Sequence, residues 1–117
     1  MSARLQALFA AIDARDAQAF ADFLSPDVTF TFANAPTLQG REQAQAAVSG
    51  FFASLAGLHH ELTEHWQSGD SLSMHGKVTY TRRDGSQLSV PFANIFKLRD
   101  GLIVEYRIFG DFSGLAG

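Results

Sequence analysis

The sequence predicts an α+β fold in which helices cover one face of a curved antiparallel sheet. Before Gly57 most apolar residues recur at helical spacing, and after it they alternate with polar residues to the end of the chain. An Asp-Gly pair stands at each of two breaks between these alternating runs. Such pairs are typical of hairpins between antiparallel strands. We therefore expect the element order αα β α ββββ.

Length and composition indicate one globular domain over residues 1–117. Hydrophobic residues make up 46% of the chain and charged residues 18%, which suffices for a packed core. The eleven Phe residues are unusual beside one Trp and two Tyr. Because a small core needs only some of these rings, we expect the others to line an apolar cavity.

Several function classes are excluded by charge, cysteine content and hydropathy. The net charge is −3, and no basic run is longer than Arg82-Arg83, so we expect no nucleic-acid partner. The absence of Cys removes disulfides, thiol catalysis and thiolate metal sites. No apolar stretch approaches the roughly 18 residues of a membrane span, so we expect no membrane partner and a cytoplasmic location.

Three helices are predicted in the first half of the chain. Ser2 is a candidate N-cap for the first helix, and Asp16 can cap a short second helix that ends before Pro26. The third helix extends to about Leu55 and stops at Gly57. The apolar positions that define the first and third helices are Leu5, Leu8, Phe9, Ile12, Ala44, Ala47, Val48, Phe51, Phe52 and Leu55.

Five strands are predicted from alternation with a period of two. The first, Val28–Phe32, precedes a loop over Asn34–Gly40. The other four should form a meander, and they are expected at His59–Gln67, Leu72–Arg82, Gln87–Leu98 and Leu102–Asp111.

The stretch "HHELTEH" is rich in potential zinc ligands, but their spacing fits neither a zinc site on a helix nor a strong zinc site on a strand. His60 and His65 are five residues apart, whereas the metalloprotease motif places its two His four apart on a helix. On a strand His59, Glu61 and His65 share one face, but that face is expected to meet solvent or another subunit. We therefore predict no metal site and no cofactor.

The turn at Asp100-Gly101 sets the predicted register of the last hairpin. A two-residue turn pairs Leu98 with Ile103 and brings directly opposed residues to a shared face. A three-residue turn would reverse that assignment. In the two-residue register the shared face carries Asn94, Arg107, Phe92, Phe109 and Asp111.

Asp111 is the first candidate for an acid/base residue. On the shared face it lies in an apolar mouth, where desolvation raises the pKa of a carboxyl and makes it a usable base near neutral pH. Arg107 or Asn94 would then hold a developing oxyanion. The alternative is a structural role, in which Asp111 caps the tail by accepting backbone N–H bonds from Ser113 and Gly114. The residues alone leave both alternatives open.

His60 is the second catalytic candidate. It falls on the apolar face of its strand together with Leu58, Leu62 and Trp66, and we expect Trp66 to contact a ligand. A His on such a face is more often a hydrogen-bonded core residue than a catalyst, and we favour that interpretation. Asn94 also lies on an apolar alternation, where its amide either orients a ligand or braces a polar network.

Four stretches carry a resemblance to a known family: "LSPDVTFTFANAPTLQGRE", "FFASLAGLHHELTEHWQSGD", "YTRRDG" and "VPFANIFKLRDGLIVEYRIFGDFSGL". Over nearly its whole length the chain resembles the nuclear-transport-factor-2-like superfamily, and within it the SnoaL-like polyketide cyclases. The resemblance implies a cone-shaped domain whose curved sheet wraps around three helices. It also implies an acid/base role for Asp111, because these cyclases place an acid at the end of the last strand. The resemblance therefore favours a location of Asp111 in the cavity over its role as a cap of the tail.

Three functions remain open at this point. The first is a cofactor-free enzyme that isomerises, cyclises or dehydrates a small hydrophobic molecule through Asp111, with Asn94, Arg107 or His60 as partner. The second is a binding protein whose cavity holds such a molecule without chemistry. The third is a dimeric scaffold. A homodimer is expected under all three, because Ile95, Tyr106 and Ile108 would place apolar area on the outer face of the sheet.

Overall fold

Three helices precede a long meander in the computed structural model, which describes residues 3–116. The helices are α1 (Ala3–Asp13), α2 (Ala17–Ala21) and α3 (Arg41–Ala53). The strands are β1 (Leu24–Phe32), β2 (Leu38–Gln39), β3 (Leu55–Ser68), β4 (Ser71–Arg82), β5 (Gln87–Arg99) and β6 (Leu102–Gly110). A short 3-10 helix, Ser113–Ala116, follows β6. The predicted α+β class and the cone-shaped arrangement are confirmed.

The two N-terminal helices form as their sequence patterns predict. All four apolar residues that define the stripe of α1 are buried. The carboxylate of Asp16 caps α2 by accepting a hydrogen bond from the backbone N–H of Ala19 at 3.0 Å. The other predicted cap, Ser2, lies outside the described residues.

The six strands form one curved sheet in the order β2-β1-β6-β5-β4-β3. The meander β3 to β6 is antiparallel as expected, but β1 pairs with β6 in parallel, so the sheet is mixed. The predicted loop over residues 34–40 contains β2, which pairs with β1. Strand β1 also begins at Leu24, earlier than expected, and its pairing with β6 is interrupted between Leu24 and Thr29, around Pro26.

The β5–β6 hairpin has the two-residue turn that its sequence predicts. Asp100 and Gly101 both have positive φ, 55° and 79°, as a type I′ turn requires. Leu98 pairs with Ile103, but Lys97 then pairs with Glu105. Strand β6 therefore contains a bulge that leaves Val104 without a partner, and every pair beyond it is shifted by one residue.

A second bulge lies in β3, where Leu62 pairs with Gly76 of β4 but Glu64 pairs with His75. Gly76 is required there because the backbones approach closely. A Cβ atom at Gly76 would lie 1.9 Å from the carbonyl oxygen of Glu61. The bulge reverses the face on which residues of β3 lie after Thr63.

The core fills the space between the helices and the concave face of the sheet. Its most completely buried apolar side chains come from α2 and from three strands, and they are Phe20, Leu24, Val28, Met74, Val78 and Phe96. The longest helix in the described part, α3, has 13 residues, and none there is long and apolar enough to cross a membrane.

Candidate functional site: an apolar cavity with a His–Asp pair

A cavity of about 360 Å³ lies between the helices and the concave face of the sheet. This volume is within the range of small-molecule sites, which is roughly 300–1,000 Å³. Its apolar lining comes from all three helices, from the sheet and from the tail, and comprises Ile12, Phe20, Phe30, Phe32, Ala35, Pro36, Leu38, Ala47, Val48, Phe51, Phe52, Leu58, Val78, Phe92, Ile108 and Phe112. Four polar residues complete it, namely His60, Tyr80, Asn94 and Tyr106.

The opening of the cavity lies beside the loop between β1 and β2. Ala35 and Pro36 of this loop and Ala47 of α3 line the cavity and are also exposed to solvent. On the side of the C-terminal tail the cavity is closed by Phe112, whose ring packs against that of Phe32 at 4.6 Å between centroids. A ligand can therefore enter from solvent beside this loop and reach the apolar interior of the cavity.

His60 and Asp13 form a hydrogen-bonded pair at the wall of this cavity. The ring Nδ1 of His60 lies 2.6 Å from Oδ1 of Asp13, and the backbone N–H of His60 donates to Oδ2 at 3.0 Å. Asp13 is the last residue of α1, and His60 lies in the first half of β3. Packing of α1 against β3 brings together two residues that are 47 positions apart in the sequence.

Two aromatic rings fix the plane of the His60 imidazole. Phe9 of α1 and Phe92 of β5 lie 5.0 and 5.1 Å from it between ring centroids. The side chain is 11% exposed. Because packing and two hydrogen bonds hold the residue, its ring keeps one orientation towards the cavity.

The pair determines which nitrogen of His60 can act on a ligand. A carboxylate accepts hydrogen bonds and cannot donate them, so Nδ1 of His60 carries the proton and donates the hydrogen bond to Asp13. The other nitrogen, Nε2, then has a free lone pair in the neutral imidazole. It makes no hydrogen bond to any residue of the described part of the chain. The arrangement can take a proton from a ligand, and the Asp13 carboxylate stabilises the resulting imidazolium.

Tyr80 and Tyr106 bring two phenol groups to the same cavity. Burial raises the pKa of both hydroxyls above the ordinary value of 10, and repulsion from the charged form of Tyr80 adds to the increase at Tyr106. Both phenols therefore keep their protons at every physiological pH. They can donate hydrogen bonds to a ligand.

Asn94 is the fourth polar residue in the lining. It is almost fully buried on β5, between Met74 of β4 and Ile108 of β6. Its amide Nδ2 donates to the backbone carbonyl of Arg107 at 3.3 Å. That bond orients the amide and leaves the carbonyl oxygen of the side chain available to accept a hydrogen bond.

A family model described as the SnoaL-like domain matches residues 5–106, which is most of the chain and includes all of the cavity lining except Ile108 and Phe112. The chain belongs to the SnoaL-like family. None of the curated protein sequences matches it.

Several solved structures share the fold of this chain and little of its sequence. A hypothetical protein with a ketosteroid isomerase-like fold from Catenulispora acidiphila, in complex with trimethylamine, has a TM-score of 0.87 and 20% identity over 97% of this chain and 88% of its own. A putative SnoaL-like polyketide cyclase from Jannaschia has a TM-score of 0.83 and 21% identity, over 97% of this chain and 86% of its own. An LEH-like epoxide hydrolase from M. tuberculosis has a TM-score of 0.82 and 14% identity, over 97% of this chain and 86% of its own.

The structure of this SnoaL-like domain brings three of the seven predicted site residues to the cavity. His60, Phe92 and Asn94 all line it. The other four lie elsewhere: Arg107 and Phe109 point to the outer face of the sheet, Asp111 is exposed after β6, and Trp66 is exposed near the end of β3.

The bulge at Val104 explains why the predictions for Arg107 and Phe109 were wrong about location. The expected register paired Asn94 with Arg107 and Phe92 with Phe109. In the structure Asn94 pairs with Ile108, and Phe92 pairs with Gly110. The one-residue shift moves Arg107 and Phe109 to the outer face, where the guanidinium lies 4.9 Å from the centroid of the Phe109 ring.

Asp111 takes the structural role that the sequence left as the alternative. Its Oδ1 accepts a hydrogen bond from the backbone N–H of Ser113 at 3.1 Å, and its side chain is exposed. The Ser113 hydroxyl and that backbone N–H lower the pKa of the Asp111 carboxyl. The expected location in an apolar mouth with a raised pKa is therefore wrong, because the carboxylate lies outside the cavity and its charged form is favoured.

Trp66 is turned away from the cavity by the bulge in β3. Leu58, His60 and Leu62 lie on the inner face as expected, but the face is reversed after Thr63. Trp66 is 53% exposed and stacks on His75 with the ring planes 19° apart. The expectation that Trp66 contacts a ligand in this cavity is therefore not met.

Three residues of the candidate site were missed by sequence reasoning. Asp13 carries no sequence signal of its own, because its partner His60 is 47 positions away and no local pattern reveals the pair. Tyr106 was expected on the outer face, but the bulge turns it inward. Tyr80 had a usable signal, because it alternates with Val78 on the apolar face of β4.

Proposed function

We propose that this SnoaL-like domain binds a small, largely apolar molecule in its cavity and moves a proton on it through His60. One observation carries the proposal: His60 lines an apolar cavity while its Nδ1 is held by the Asp13 carboxylate at 2.6 Å. The carboxylate base that the sequence suggested is replaced by a histidine. The reaction class remains cofactor-free isomerisation, cyclisation or dehydration.

The proton transfer needs only groups that the chain supplies. Nε2 of His60 takes a proton from a C–H bond next to a carbonyl, and the electrons of that bond move onto the carbonyl oxygen to form an enolate. Asp13 stabilises the imidazolium during this step. The imidazolium then returns the proton, at the same carbon or at another position. The apolar walls strengthen these interactions because they exclude water.

Structures of the same fold support a ligand-binding role. Their descriptions include a putative polyketide cyclase, an epoxide hydrolase and a protein in complex with trimethylamine. Identities of 14–21% show the shared fold and do not transfer a substrate. The proposal for this chain therefore rests on its own cavity and on the His60–Asp13 pair.

Deuterium exchange into a simple ketone tests the proposed chemistry. 2-Tetralone is a small, largely apolar bicyclic ketone with acidic C–H bonds next to its carbonyl. NMR in deuterium oxide measures the exchange of these protons. We expect the wild-type protein to exchange them at least ~100-fold faster than the His60→Gln variant, as for a general base. Tetralin, which lacks the carbonyl, serves as a binding control.

The outcomes of this experiment separate chemistry from binding. Binding of both compounds with exchange no faster than in buffer would contradict proton transfer and leave a non-catalytic binding protein, the second function that the sequence allows. That alternative has support of its own, because no carboxylate among the described residues lines the cavity. Failure of both compounds to bind at millimolar concentration would contradict the cavity as a ligand site.

We also propose that two copies associate through the outer face of the sheet. The registers place Glu64 and Trp66 of β3 at one side of this face and Arg107 and Phe109 of β6 at the other. Trp66 is 53% and Phe109 40% exposed, the large apolar residues most open to solvent in the described part. In this face the registers put Glu64 in one row with Phe109, and Trp66 in the next row with Arg107. A two-fold axis along the strands between β4 and β5 would therefore place Glu64 against Phe109 of a second copy, and Trp66 against Arg107.

The bulge at Val104 of β6 changes which of the expected apolar residues lie on this outer face. Ile95 lies on it as expected, opposite Arg107. Tyr106 and Ile108 instead line the cavity. The apolar area for association therefore comes mainly from Trp66 and Phe109.

A further inference from the structure

The hydroxyls of Tyr80 and Tyr106 are buried polar groups with no partner in the described part of the chain. The two residues are 4% and 3% exposed, and neither hydroxyl makes a hydrogen bond to residues 3–116. A buried donor without an acceptor is rare in folded proteins because it loses its bonds to water and gains none. These two groups therefore call for a partner that the protein itself does not provide.

Both hydroxyls reach open space rather than being sealed in the core. Within residues 3–116 the one side-chain polar atom that is both sealed and unpaired is Nε of Arg82. The unpaired tyrosine hydroxyls are not sealed in that way, and both residues line the cavity. Water can satisfy them in the free protein, and a ligand that displaces this water must replace its hydrogen bonds.

The two phenols lie in different parts of the cavity wall. Tyr80 of β4 pairs with Leu88 of β5, whereas Tyr106 of β6 pairs with Phe96, eight positions further along β5. The Tyr80 ring packs against Phe51 and Phe112. The aromatic neighbours of Tyr106 are a different set, namely Phe20, Phe30 and Phe96.

Both phenols act as donors towards a ligand. Burial favours their neutral form, as the raised pKa of each hydroxyl indicates. A neutral phenol has one proton to donate, and leaving that proton unpaired on ligand binding costs affinity. The complementary group on the ligand is an acceptor such as a carbonyl oxygen.

We propose that the cavity selects a ring compound with two acceptor oxygens on opposite sides, one bound by Tyr80 and the other by Tyr106. This inference rests on the proposed binding of a small apolar molecule and specifies its chemical class. Two contacts on opposite sides of a ring also fix its orientation, so that the same edge of the ligand always faces His60.

Three compounds of nearly equal shape test this proposal: 1,4-diacetylbenzene has two carbonyl oxygens, 4-ethylacetophenone has one and 1,4-diethylbenzene has none. Their dissociation constants are measured by NMR titration for the wild-type protein, Tyr80→Phe, Tyr106→Phe and the double variant. A Phe51→Leu variant serves as the control, because it alters the aromatic wall without removing a hydroxyl.

The expected pattern is specific to two separate contacts. Each Tyr→Phe change should weaken binding of 1,4-diacetylbenzene about three- to tenfold, and the two factors should multiply in the double variant. For 4-ethylacetophenone the double variant should lose only one such factor, since one oxygen meets one phenol at a time. Binding of 1,4-diethylbenzene should not weaken, and Phe51→Leu should shift all three compounds by a similar factor.

Two results would overturn the inference while leaving the cavity intact as a binding site. One is an equal loss for the one-oxygen and two-oxygen compounds in the double variant, which means that both phenols hold a single oxygen. The other is no loss for either ketone. If 1,4-diethylbenzene and both ketones all fail to bind the wild-type protein, the proposed ligand-binding function fails together with this inference.

Discussion

His60 and Asp13 are joined by two hydrogen bonds, one from the imidazole Nδ1 to Oδ1 at 2.6 Å and one from the backbone N–H to Oδ2 at 3.0 Å. The second bond fixes the backbone of β3 relative to the end of α1, and the first fixes the imidazole relative to that backbone. Asp13 therefore positions His60, and His60 is the group that can contact a ligand.

The Asp13→Asn substitution should change the tautomer of His60 while keeping its location. The carbonyl oxygen of the introduced amide can still accept the backbone N–H, but the amide nitrogen would donate to Nδ1 and leave the proton on Nε2. Exchange of 2-tetralone should fall at least ~100-fold, with the dissociation constant changed much less. Nitrogen-15 NMR of the imidazole should show the proton moved from Nδ1 to Nε2.

This prediction has a control and a clear contrary result. Asp22→Asn alters an exposed carboxylate at the end of α2 and should leave both exchange and the His60 spectrum unchanged. If Asp13→Asn exchanged 2-tetralone at the wild-type rate with an altered tautomer, His60 would not be the base.

Most of the fold is encoded in local patterns that sequence analysis detects. The helical stripe of α1, the cap at Asp16 and the turn at Asp100-Gly101 each depend on residues within a few positions of one another. The parallel pairing of β1 with β6 depends instead on strands about 70 residues apart in sequence, where periodicity carries no information.

The candidate site was harder to predict because two bulges decide which residues face inward. In a regular hairpin Glu105 and Arg107 would both lie on the inner face with Ile103. The bulge at Val104 turns them outward, and the cost of burying two charges was an available signal. Gly76, in the middle of an alternating strand, was a second signal, since such a glycine often marks a bulge or a close approach.

Introduction of a Cβ atom at Gly76 should disrupt the bulge in β3. A methyl group there would lie 1.9 Å from the carbonyl oxygen of Glu61, so the two backbones must separate. We expect Gly76→Ala to lower the free energy of unfolding by about 2 kcal/mol or more, comparable to overpacking of a core. Urea denaturation followed by circular dichroism measures this change.

Gly50 provides a matched control within the same chain. It is exposed on α3, and a Cβ atom there would have nothing within 4 Å. Gly50→Ala should therefore raise the free energy of unfolding by about 0.5–1 kcal/mol, as in an ordinary helix. Equal effects of the two substitutions would show that the close contact at Gly76 is relieved without cost.

The Asp111 carboxylate should titrate below its ordinary pKa of 3.8, because the hydroxyl and backbone N–H of Ser113 favour the charged form. A lowered pKa in the folded state means that the cap contributes stability above the unfolded pKa and loses it as the pH falls through the folded value. Carbon-13 NMR of the carboxyl should show this, and Ser113→Ala should raise the midpoint towards 3.8. A midpoint at or above 3.8 in the wild-type protein would contradict the cap.

Asp111→Asn should leave ligand binding and 2-tetralone exchange within about twofold of wild type, because the side chain lies outside the cavity and its substitution is at the surface. A large loss of exchange with binding intact would restore Asp111 as a catalytic residue and would require the tail to move towards the ligand.

Substitution of Trp66 or Arg107 tests the proposed dimer, because the two-fold axis places Trp66 of one copy against Arg107 of the other. Trp66→Ala and Arg107→Glu should each weaken association, since each removes the contact between an indole ring and a guanidinium at both ends of the interface. The double variant should lose less affinity than the product of the two single losses, because both changes remove the same contact. Gln18→Arg, on exposed α2, should have no effect.

Sedimentation equilibrium over a dilution series measures the dissociation constant of each protein. A wild-type protein that is monomeric at micromolar concentration would contradict association, whereas a dimer insensitive to both substitutions would place the interface on another surface.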